Sequence, residues 1–263
     1  MSSEKAHSLR YLFLESILAF FRLSEGQQRR CEKSMIALDD ETTWPQTVLD
    51  LLGSSVCDSA AARDKVVSEI HALIADREII GYHCTRLADD EIACFKAEGL
   101  RPLTEELRQS RVQKRVKAGE LTPDMADRLL SLGINGDGCY RLGYSCFFFT
   151  KKVGDWCWKF FRYWGGESIY VSHMDSDSET KNRLISIGTP CIIEIAVPVS
   201  AIRDHSVASG LLYEYGRRRN IPYPEASHDI ARRPMRVLRV IQHGTPEFAT
   251  RTHDISWCTP IHP

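Results

Sequence analysis

No two cysteines in this chain form a Cys-x-x-Cys pair, although its 263 residues include nine of them. That absence excludes zinc-ribbon and zinc-finger arrangements, and no metal is expected. Cys31, Cys57, Cys84, Cys94, Cys139, Cys146, Cys157, Cys191 and Cys258 are odd in number and irregular in spacing. They make a poor disulfide framework, and reduced thiols in a cytoplasmic setting are expected. Charge of one sign is also missing. Lys and Arg number 34 against 35 Asp and Glu, a net charge of −1, so no global field exists to coat a polyanion. The most apolar run, Tyr11 to Leu23, is broken by Glu15 and Arg22 and falls short of the roughly 18–20 residues a span needs. No small-residue cleavage site follows it. A buried helix and no membrane partner are the expectation. A G-x-G-x-x-G loop is absent too, since Gly136-Asp137-Gly138 is followed by Arg141 and Leu142 where the pattern wants glycine. This excludes a Rossmann site. Internal repeats and low-complexity tracts are lacking.

What remains is an ordinary globular composition, 43% apolar and 26% charged, enough for a sizeable core. Residues 1–77 read as helical. Pro45 opens one segment, and Ser59 caps another with Val66, Val67, Ile70, Leu73 and Ile74 at helical spacing. The character changes at Ile79. Ile79 to Arg86 predicts a strand, Ala88 to Glu98 a helix stopped by Gly99, Leu103 to Lys117 a charged helix, and Pro123 to Leu132 another. Cys146 to Thr150 predicts a buried strand and Asp155 to Tyr163 an aromatic helix. Ser168 to Ser172 predicts a short strand, Ser178 to Ile187 a helix, and Cys191 to Val197 and Arg236 to Ile241 two more strands.

The segment with most chemical content is Gly81-Tyr82-His83-Cys84-Thr85-Arg86. Residues two apart on a strand share a face, so His83 and Thr85 set an imidazole beside a hydroxyl. Cys84 points the other way, which argues against a thiol enzyme in which His83 activates it. Two basic clusters stand out. Arg108, Arg111 and Arg115 share a helix face beside Lys114 and Lys117. Arg217-Arg218-Arg219 joins Arg232, Arg233, Arg236 and Arg239, interleaved with Tyr213, Tyr215 and Tyr223. Such clusters are solvated faces or docking sites for NAD pyrophosphate or for nucleic acid.

His83-x-Thr85, a helix, and then Gly99-Leu100 resembles the opening of the ADP-ribosyltransferase superfamily. The likeness is to its diphtheria-toxin-like and PARP-like branch, which includes DarT-type toxins. Phe147-Phe148-Phe149-Thr150 resembles that family's second strand, and Cys191 to Val197 its core strand. The likeness covers about residues 79–245 and implies an α+β fold with a split β-sheet and flanking helices. Residues 1–77 would form a helical N-terminal region and 78–263 the catalytic domain. It implies NAD as substrate and transfer of ADP-ribose to a macromolecular acceptor, RNA or DNA before protein, in a toxin or antiviral defence role. An antitoxin or regulatory protein would dock through the N-terminal region. A catalytically inactive module that binds NAD, ADP-ribose or a partner is the alternative. By the same likeness His83, the Cys84 backbone, Thr85 and Arg86 hold the dinucleotide, while Tyr163 and Tyr170 are candidate rings against nicotinamide. Tyr170 is preferred. Glu225 is the catalytic carboxylate, with Glu214, in a target-recognition loop, and Asp229 as rivals. Glu194 reads as an outward residue of its strand, and Glu167 as a structural cap of its loop.

Overall fold

The computed structural model describes residues 35–55, 59–132, 142–151, 158–166, 169, 177–202, 206–219, 228–231 and 233–252. Five strands form one antiparallel sheet: β1 (Glu78–Leu87), β2 (Ser145–Phe148), β3 (Thr189–Pro198), β4 (His228–Ala231) and β5 (Arg236–Gln242). Their spatial order is β4-β2-β1-β3-β5. The helices are α1 (Gln46–Ser54), α2 (Ala60–Ile74), α3 (Asp89–Glu98), α4 (Glu105–Lys117), α5 (Pro123–Leu132), α6 (Trp158–Arg162), α7 (Ser178–Ser186), α8 (Ser206–Arg219) and α9 (Pro246–Arg251). The chain is therefore mixed α+β, with helices on both faces of the sheet. No helix among the described residues is long and apolar enough to cross a membrane.

The two faces of the sheet follow from the period-2 alternation of β1 and β3. Ile79, Leu87, Cys191, Ile193, Ile195 and Val197 face one way and meet Phe147 and Phe149. Against them lie Val48 and Leu52 of α1, Val66, Ile70 and Ile74 of α2, and Leu211 and Leu212 of α8. The described part of the N-terminal region thus shares the core of the sheet. Ile36 adds a parallel bridge to Ile79, and Trp44 donates its indole N–H to the Ala37 carbonyl at 2.9 Å. The Ser59 hydroxyl caps α2 by accepting the Ala62 N–H. On the opposite face Tyr82, Cys84 and Ile192 pack with Phe160, Phe161 and Phe248.

Glu194 does not point outward to solvent. It is buried on that second face, ion-paired with Arg251 at 2.7 Å and with Arg239. Burial alone would raise its pKa, but these two guanidiniums hold the carboxyl below its ordinary range. Leu211 to Tyr215 belongs to α8, a helix on the core rather than a recognition loop. The predicted strand Ser168 to Ser172 lies outside the described residues apart from Ile169, which is helical and buried.

Candidate functional site

β1 is paired unequally on its two sides. Toward β3 all ten of its residues are in register, from Glu78↔Pro198 to Leu87↔Thr189. Toward β2 the register is confined to Tyr82↔Phe148. Beyond that rung the His83 side chain enters the gap, and its Nδ1 lies 2.7 Å from the Cys146 carbonyl oxygen. A carbonyl only accepts, so Nδ1 carries the proton and donates. In the neutral ring Nε2 is then the acceptor.

A cavity of about 120 Å³ opens at this gap, between β1, the turn into β2, and helices α3 and α4. His83 and Thr85 both line it, as their shared face requires. Cavities of about 150 Å³ take a benzene ring, so this one has room for about one small ring. The rest of a dinucleotide would have to lie along the rim. Arg101, Arg111 and Lys114 are on that rim.

Two lining residues went unseen in the sequence, Tyr144 and Ser145. The Gly143 turn, at φ 84°, places them there. Gly143 N–H donates to the Leu103 carbonyl at 2.7 Å, and Leu103 N–H donates to the Tyr144 carbonyl at 2.9 Å. The Tyr144 ring is half-buried in the wall. The Ser145 hydroxyl is buried and has no hydrogen-bond partner among the described residues. A buried hydroxyl in that state costs the fold free energy until water, protein or ligand bonds it.

The far wall is the turn Trp164-Gly165-Gly166. Gly165 N–H donates to the Arg86 carbonyl at 3.2 Å. A Cβ on Gly166, at φ 54°, would lie 2.6 Å from Thr85 Oγ1, so only glycine lets this turn close on Thr85. Because Arg86 turns its carbonyl to the β2 side, strand alternation sends the Cys84 N–H and C=O to that side as well. Glu91 of α3 is the buried carboxylate of the wall. Its Oε2 accepts the Ala88 N–H at 2.9 Å and the Trp164 indole N–H at 2.7 Å, and Oε1 accepts Arg111 Nε at 2.7 Å. Burial would raise its pKa, but the Arg111 charge and these bonds hold it below the usual carboxylate range.

Several expected residues have other duties. Arg86 lies on the opposite face from His83, buried, donating to the carbonyls of Ile187 at 2.9 Å and Phe161 at 3.2 Å. It is a structural cross-link instead of a phosphate ligand. Tyr163 is buried with Val112, Leu121 and Trp164 in a separate apolar cluster, not in the cavity wall. The Cys84 thiol packs with Tyr82 and Ile192, away from His83. Glu214 is buried on α8 and ion-paired with Arg217 at 2.7 Å.

The basic clusters are largely paired within the chain. Arg108 bonds the Leu129 and Leu130 carbonyls, and Arg115 pairs with Asp90 and Glu120. Arg218 and Arg219 meet Glu41, Arg236 meets Glu78, and Arg239 meets Glu194. Exposed Lys114 is the cation of the cavity rim for which no ion pair is seen among the described residues. Asp229 sits on β4 opposite Phe147. Glu225, Tyr170 and Glu167 lie outside the described residues. Comparison with protein-family models, with curated proteins and with solved structures finds no match to this chain.

Proposed function

We infer that this protein is an ADP-ribosyltransferase that binds NAD at the gap between β1 and β2 and cleaves its nicotinamide glycosidic bond. The observation that carries the reading is His83, whose ring enters the gap beside β2 and stands next to Thr85 in a cavity of one-ring size. Three further features fit such a ligand. The buried Ser145 hydroxyl has no partner among the described residues, the Tyr144 ring offers a flat face, and the rim carries Arg101 and Lys114 for a pyrophosphate. His83 Nε2 would accept a ribose hydroxyl, Thr85 would bond beside it, and the Cys84 backbone would meet a carboxamide.

Cleavage develops positive charge on the ribose ring, so the reaction needs a carboxylate whose attraction grows toward the transition state. Glu225 is assigned that role. It stands three residues ahead of β4, the strand that pairs with β2 through His228↔Phe148. Tyr170 is assigned the ring against nicotinamide. ADP-ribose then passes to a macromolecular acceptor, with RNA or DNA preferred to protein, as a cytoplasmic toxin or defence effector on a split-sheet transferase fold. The N-terminal region, residues 1–77, is where an antitoxin or regulatory protein would dock.

A second reading is an inactive NAD- or ADP-ribose-binding module on the same fold. One observation favours it: Glu91, the carboxylate of the described cavity wall, is already committed to Arg111 and Trp164. The two separate on incubation with labelled NAD, with and without lysate. A transferase releases nicotinamide and moves label to protein or nucleic acid. A binding module retains intact NAD. A folded protein that does neither refutes both.

A further inference from the structure

Trp164 is fully buried, yet its indole N–H reaches the cavity wall through a single bond to Glu91 Oε2 at 2.7 Å. The Arg111 guanidinium lies 5.4 Å from the Trp164 ring centroid and also bonds Glu91 Oε1. The Trp164 N–H donates to the Leu184 carbonyl at 2.9 Å, and the next residue, Gly165, donates to the Arg86 carbonyl on β1. The indole thus fixes where the Gly165–Gly166 turn comes down. That turn presses on Thr85 so closely that a methyl on Gly166 would meet Thr85 Oγ1 at 2.6 Å. Thr85 itself is buried, so the turn limits the positions open to its hydroxyl.

We propose that Glu91 is a positioning residue: through Trp164 it seats the Gly165–Gly166 turn against Thr85 and so aims the Thr85 hydroxyl into the cavity. No proton transfer or covalent step is asked of Glu91. The claim rests on the NAD reading only for its choice of ligand.

Trp164→Phe tests the linkage, because it keeps the buried ring and removes the donor to Glu91. Affinity for NAD is measured in the wild-type background and in Thr85→Ala, and amide exchange is followed at Gly165 and Gly166. Trp164→Phe should weaken NAD binding about tenfold in the first background, the scale of one buried hydrogen bond. In Thr85→Ala it should weaken binding by less than about twofold, because the group being aimed is gone. Exchange at Gly165 should rise by about tenfold or more while β1–β3 amides stay protected. Glu91→Gln, which retains an oxygen for the indole, should bind NAD more tightly than Glu91→Ala. A role in stability alone predicts equal affinity losses in both backgrounds, or none, and either result overturns the proposal. If the wild-type protein binds no NAD, the ligand reading fails, and exchange at Gly165 alone then decides. A rise upholds the positioning role, and unchanged exchange overturns it.

Discussion

Removing the His83 imidazole strikes both halves of the account, the contact across the gap between β1 and β2 and the recognition of ligand. In the unliganded protein His83→Ala loses the hydrogen bond from Nδ1 to the Cys146 carbonyl. The site is half-buried, so the carbonyl regains water, and the net loss is about 1 kcal/mol. For a chain of this size that lowers Tm by about 2–4 °C. The effect on ligand is larger. A ribose hydroxyl that donates to Nε2 would be left unpaired beside Thr85, at about 1–3 kcal/mol. That is roughly a 5- to 150-fold rise in Kd. Calorimetric titration with NAD, paired with thermal unfolding of the same preparation, reads both numbers. A folded His83→Ala protein whose NAD Kd stays within about twofold of wild type would refute the placement of the ligand. A collapse of the fold would refute the loss of only about 1 kcal/mol.

Gly166→Ala should destabilise the protein by about 1–2 kcal/mol from its left-handed backbone alone, and should weaken NAD binding by displacing Thr85; thermal unfolding and titration check the two effects. Glu225→Gln should lower NAD turnover by about two orders of magnitude or more with affinity nearly unchanged, whereas Glu214→Gln, remote in role and paired with Arg217, should leave nicotinamide release intact and lower Tm slightly. Burial raises the Asp39 pKa, despite the 2.7 Å bond from the Lys151 N–H to its Oδ2. A carboxyl raised in the folded state contributes stability at low pH that is lost as pH climbs through the folded pKa. Asp39→Asn should therefore raise Tm at pH 7, with the gain shrinking toward pH 3. Glu91 has the opposite sign: its depressed pKa contributes stability above about pH 4.3, lost as pH falls, so Glu91→Gln should narrow the acid dependence of Tm.

Four of the five strands are legible in the sequence because each carries β-branched or aromatic residues in a run, as in Cys191 to Val197. β4, with only Ile230 as a β-branched member of His228–Ala231, carries no such pattern and owes its place to pairing with β2. Strand alternation put His83 and Thr85 on one face, and the same rule applied to Arg86 would have sent it to the other. Its charge drew it to phosphate, whereas a buried guanidinium with two backbone carbonyls is a cross-link. Arg218 and Arg219 look like a docking surface only while Glu41 is out of view, some 175 residues away in sequence. Glu194 reads as outward by alternation because Arg251, on a helix that gave no signal, covers that face. Tyr144 and Ser145 were hidden for a different reason. Their role depends on the Leu103–Tyr144 bond, a contact across 41 residues that no local pattern encodes.

The most direct test is site-resolved amide exchange on the full chain during titration with NAD. The account predicts saturable protection at the Cys84 amide, which faces the β2 side of β1, and at Tyr144, Ser145 and Gly165, which line the cavity. Protection confined to other parts of the molecule, or none at saturating NAD in a folded protein, would contradict it.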